Sequence, residues 1–122
     1  MFMPDYNGSY TGSELEQAIA KAMRAVGSNS VTTLAALPVD KRTVNATLSG
    51  ETTLSISEGM EVGEELLVRC VPSATWTQPI PNSGDYTSMS GSSIEVTSGV
   101  PFEISVWCYA TGKYSIMAKS AE

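Results

Sequence analysis

Histidine is absent from these 122 residues, and with it go the commonest general base and every imidazole-dependent triad. Cysteine is scarce. Cys70 and Cys108 stand alone, and two thiols without histidine cannot make a structural zinc site by themselves. Basic residues are few: seven Lys and Arg face thirteen Asp and Glu, giving a net charge of −6 and a pI near 4.5. Phosphate contacts supply most non-specific nucleic-acid affinity, so this balance argues against nucleic acid as a partner, and equally against anionic membrane surfaces. No apolar run approaches the ~20 residues that span a bilayer. Met1-Phe2-Met3-Pro4-Asp5 has neither a basic nor an apolar leader region, so no secretory signal is expected. The expected product is soluble and made in the cytoplasm. There Asn7-Gly8-Ser9 and Asn45-Ala46-Thr47 match the glycosylation pattern only by coincidence. Of the two alternatives for the cysteines, an inter-sheet Cys70–Cys108 disulfide or free thiols acting as small hydrophobes, free thiols are expected.

What is present fits one domain with a sizeable core, 42% hydrophobic and 16% charged. Its start differs from its remainder. Residues 1–12 are a polar arm carrying Tyr6 and Tyr10. Residues 13–27 then predict an amphipathic helix. Ser13 with Glu16 forms a capping box, and Thr11 with Glu14 offers the same pairing one register earlier. Apolar residues follow at Leu15, Ile19, Ala22 and Val26, widened by Ala18 and Ala25. Glu14 and Glu16 near one end and Lys21 and Arg24 near the other complement the helix dipole, and Gly27 supplies the terminating residue. A helix of about thirteen residues is marginal alone in water, so its stripe needs a partner surface.

Residues 28–42 are Ser/Thr-rich, then carry Leu34-Ala35-Ala36-Leu37-Pro38, and predict a connector with a short strand at Val31–Leu34. From residue 43 to 122 the period becomes two. Val44, Ala46 and Leu48 alternate with polar neighbours, as do Leu54 and Ile56. Further strands are expected at Glu65–Val71, Trp76–Pro81, Ile94–Val96, Phe102–Ala110 and, after a Thr111-Gly112 turn, Lys113–Lys119. Seven or eight short, evenly spaced strands predict a mainly β protein, an antiparallel β-sandwich or jelly-roll-like domain preceded by the one helix. In the strand from Phe102, the residues Phe102, Ile104, Val106, Cys108 and Ala110 share a face. Trp107 and Tyr109 share the other with Glu103 and Ser105. Either a loop or a partner subunit is expected to cover Trp107, with the loop favoured.

Catalytic patterns are missing. No Ser sits in a G-x-S-x-G elbow, and no phosphate-binding Gly-rich loop opens a helix. Asp5-Tyr6-Asn7-Gly8 lacks the remaining ligands of a calcium loop. Glu64-Glu65 or Glu58 with Glu61 could form a glycosidase carboxylate pair, although acidic residues between strands are commonplace. Trp76, Tyr86 and Trp107 are candidate contacts for a partner or a glycan, against the default that such aromatics belong to the core. The expectation is a protein without enzymatic activity, metal or cofactor.

Tyr10-Thr11-Gly12-Ser13-Glu14-Leu15-Glu16-Gln17-Ala18-Ile19 resembles the "YTG-x-E-I-D-x-A-L" opening of small fibre-type virion proteins of tailed bacteriophages, head-fibre proteins included. Four later pieces resemble, in order, the β-sandwich of similar phage proteins, especially those of phages infecting gut Bacteroidales. They are Thr47-Leu48-Ser49-Gly50, Gly84-Asp85-Tyr86-Thr87-Ser88-Met89-Ser90-Gly91, Phe102-Glu103-Ile104-Ser105 and Gly112-Lys113-Tyr114-Ser115-Ile116. The resemblance implies a non-enzymatic virion component, typically a homotrimer, that decorates a capsid or forms a short fibre. Its partners would be its own copies and a capsid or other virion protein. Without a long shaft or a receptor-binding tip, compact decoration is favoured over host-surface or glycan binding. Tyr6 and Tyr10 then belong to a docking arm. The stripe of Leu15, Ala18, Ile19, Ala22 and Val26 is either an intersubunit seam or a lid on its own sheet; the expectation is the seam.

Overall fold

A computed structural model describes residues 27–121. The arm over 1–12, with Tyr6 and Tyr10, and the stripe of Leu15, Ala18, Ile19, Ala22 and Val26 lie outside the described residues. Gly27, the expected helix terminator, is described and takes a φ of +83°, the left-handed conformation that such a position favours.

The described residues form eight strands: β1 (Ser28–Val31), β2 (Thr43–Leu48), β3 (Glu65–Pro72), β4 (Trp76–Pro79), β5 (Tyr86–Ser88), β6 (Ser93–Val96), β7 (Phe102–Ala110) and β8 (Lys113–Ser120). The protein is mainly β, as expected. Six strands make one sheet in the order β1-β2-β3-β7-β8-β5, while β4 and β6 pair as a small second sheet. Pairing is mixed. β1–β2, β2–β3 and β5–β8 are parallel; β3–β7, β7–β8 and β4–β6 are antiparallel.

Alternation explains which face is buried. Val44 pairs with Val68, Val68 with Ile104, and Ile104 with Ala118, so one row of four side chains crosses β2, β3, β7 and β8. All four are buried. The next row, Leu66, Val106 and Ile116, is buried as well. Each Val, Leu or Ile side chain in these rows contributes roughly 1.5–3 kcal/mol by leaving water. Leu34, Leu37, Leu54, Ile80 and Val96 belong to the same cluster. The β7–β8 hairpin closes at Thr111-Gly112, where Gly112 supplies a φ of +70°.

Residues 28–42 depart from the expected connector. Its first four residues are β1, hydrogen-bonded to β2, and Leu34 and Leu37 are completely buried. Ala36 takes a left-handed φ of 51°, a strain of about 1–2 kcal/mol for a residue with a Cβ. Hydrogen bonds hold it there: Ala36 N–H donates to Ser55 Oγ at 2.7 Å, and Ser57 Oγ donates to Ala36 O at 2.9 Å. The expected strand over Leu54 and Ile56 is correspondingly reduced to a single bridge between Ile56 and Leu37.

Candidate functional site

The two buried polar side chains among the described residues, Gln78 and Glu64, are engaged in holding the fold. Gln78 is fully buried and satisfied: its Oε1 accepts from Trp76 Nε1 at 2.8 Å, and its Nε2 donates to Thr52 O and Pro79 O. Glu64 is also buried. Its Oε1 accepts from the Glu61 N–H at 2.8 Å, and its Oε2 lies 3.5 Å from Arg42 Nη2. Glu65, next in sequence, is exposed at the start of β3; both residues line one small depression, where Glu64 is held by Arg42. Glu58 and Glu61 are exposed in loops. Among the described residues, no three or more His, Cys, Asp or Glu side chains gather as a metal site.

Cys70 and Cys108 are free thiols, both buried. Cys70 pairs across with Phe102, six residues from Cys108 along β7, which is roughly 20 Å of strand. Burial pushes the Cys70 thiol up to about 12 from its ordinary 9.0. Burial likewise raises Tyr114, with smaller contributions from Cys108, Tyr86, Asp85 and Glu58. Lys113 is raised by its hydrogen bond to Asp85, 2.8 Å long, and by the attraction of that carboxylate.

The three aromatic candidates are not brought together. Trp76 sits on β4 with its indole N–H given to Gln78. Tyr86 stacks on Tyr114 at 5.5 Å between ring centroids, and its hydroxyl accepts from the Ile56 N–H. Only Trp107 is turned to water, on the outer face of the six-stranded sheet, with 49% of its surface exposed. The expected covering loop is not among the described residues. The neighbour of Trp107 is Tyr109, 5.9 Å away between ring centroids and tilted by 51°. Tyr109 falls where the β7–β8 register shifts, between Cys108 and Ala110.

Trp107 is one of a group. Met117 (47% exposed), Tyr109 (42%) and Met89 (66%) are exposed on this side of the molecule, and Leu67 is half-buried among them. Leu67 pairs with Ser105 and Ser105 with Met117, so the small Ser105 separates two large apolar side chains. Glu65, Met89, Trp107, Ser115 and Met117 surround a depression there, and an adjoining one extends over Arg42, Thr43 and Leu67. Glu65 and Ser105 line both, which makes them one shallow groove across the strands. Met117, Met89 and Leu67 were not candidates from sequence. The available signal was Met117, out of phase with Tyr114, Ile116 and Ala118.

No protein-family model, curated protein or solved structure matches the chain. The reading of this face therefore rests on its own chemistry.

Proposed function

We propose that this chain is a non-enzymatic structural protein of a tailed-phage virion, a head-fibre or capsid-decoration component working as a homotrimer. In this reading residues 1–27 serve trimerisation or docking. The two sheets form a sandwich-type or jelly-roll-like domain carried outward, and the protein is made in the bacterial host cytoplasm. The observation that carries the assembly part is the outer sheet face. Contiguous exposed apolar side chains on a soluble domain mark a contact surface rather than ordinary scatter. The phage part is supported by the ordered motifs of the sequence, which fall at the end of β2, around β5, at the start of β7 and at the β7–β8 turn. A glycan-binding module would want exposed coplanar rings. Trp107 and Tyr109 are tilted, while Trp76 and Tyr86 are engaged internally.

Mass determination in solution tests this reading. A trimer is expected, and truncation of residues 1–27 is expected to abolish it. A chain that stays monomeric at high concentration, and does not associate with virion proteins on co-expression, overturns it.

A further inference from the structure

We infer that the outer groove is the seat for residues 13–26 of a neighbouring copy, an inference that rests on the assembly reading above. The groove and this segment agree in length. From Thr43 past β3, β7 and β8 to Met89 the groove crosses four strand spacings, roughly 19 Å. As a helix, Leu15 to Val26 spans roughly 16 Å. The chemistry agrees as well: the segment offers an apolar stripe that needs burial, and the groove offers Leu67, Trp107, Met117 and Met89.

The place where the described chain begins sets the geometry. Ser28 pairs with Thr43, Thr43 with Leu67, Leu67 with Ser105 and Ser105 with Met117. Residues 13–26 thus join the sheet at the edge of the very row that floors the groove. A copy's own segment is nevertheless poorly placed to lie in it. Packed layers put a helix axis about 8–10 Å away, so its nearest Cα atoms stand roughly 6–8 Å above the strands. From Ser28 back to Val26 is two residues, at most about 7 Å of extended chain. In sequence, Gly27 alone stands between Val26, the last residue of the stripe, and β1, which leaves little slack over that distance. Short hinges favour exchange of an element between copies. In a ring of three, each copy then gives its stripe to the next groove, the unlike-patch contact that cyclic closure requires.

Disulfide trapping in the full-length chain tests this, because the native Cys70 and Cys108 are buried. Ile19→Cys and Met117→Cys chains are co-expressed, oxidised mildly and weighed alongside the unmodified protein. The expected result is a trimer with disulfides joining the two variants between chains. Met117→Lys, at an exposed position, should raise the trimer dissociation constant about tenfold or more without lowering the thermal midpoint of the monomer. A trimer linked only through Ile19→Cys to Ile19→Cys overturns the groove assignment and leaves the assembly reading standing. So does a trimer without a mixed disulfide whose affinity is indifferent to Met117→Lys. A monomer overturns both, and an internal disulfide in a chain carrying both substitutions then shows the segment on its own sheet.

Discussion

The two faces of the six-stranded sheet use the same four strands and the same backbone hydrogen bonds, offset by one residue. On the inner face the row Val44, Val68, Ile104 and Ala118 is buried throughout. One residue earlier along β2, β3 and β8, and one later along β7, the outer row reads Thr43, Leu67, Ser105 and Met117. Four apolar side chains in register exclude water without help. Two apolar and two hydroxyl-bearing ones cannot, yet they lie too close together to count as isolated surface hydrophobes. The inner face therefore supplies stability, and the outer face is the one proposed to take a partner.

Core substitutions give the largest expected effect. Ile104→Ala should lower unfolding free energy by about 4 kcal/mol, by lost transfer energy plus a cavity, measured by denaturant melts. A loss under about 1 kcal/mol would break the contrast. Alkaline pH should strain the inner face next. Above pH 9.0 the unfolded Cys70 thiol gives up its proton while the folded one holds it until about 12. The folded state then binds more protons, so stability falls as pH rises through that window, by up to about 1.4 kcal/mol per pH unit. Tyr114, also raised by burial, adds to the slope at the upper end. Cys70→Ala should flatten the profile, and an unchanged slope would assign it to other groups. Gln78→Ala, which strands the Trp76 N–H and the Thr52 carbonyl, should cost about 2 kcal/mol in the same melts. The outer face should respond least. Met117→Ala, and Arg69→Gln breaking the exposed 3.9 Å pair with Glu103, should each change monomer stability by about 0.5 kcal/mol or less. A larger loss at Met117 in a monomer would mean that the face is already covered within one chain.

Local pattern carried some of this structure and not the rest. The β7 faces were legible residue by residue, because nine residues of strict alternation leave one register in which Phe102, Ile104, Val106 and Cys108 are dry. The β7–β8 turn was legible from Thr111-Gly112 for the same local reason. The parallel pairings of β1, β2 and β3 were not, since they join segments separated by long connections that alternation does not constrain. Residues 28–42 looked like a linker because Ser28-Asn29-Ser30 has weak strand preference. The pairing with β2 and the burial of Leu34 and Leu37 override that preference. Of the candidate site, Trp107 was legible as a side chain facing away from the core. Its exposure was not, because whether a loop reaches over a strand depends on loop paths, and these depend on the whole topology. Trp76 and Tyr86 were chosen by residue type, which does not distinguish an aromatic turned to water from one anchored by Gln78 or Tyr114.

The central position of β3 also has a consequence in time. Its partner β7 begins thirty residues after β3 ends, and the tight β7–β8 hairpin is made last among the described strands. Translation at 5–20 residues per second separates the end of β3 from the end of β8 by roughly two to ten seconds. During that interval β3 can pair with β2 on one side, while its β7-facing edge stays open. The nascent chain is then at its most adhesive, and the C-terminal hairpin ends that exposure.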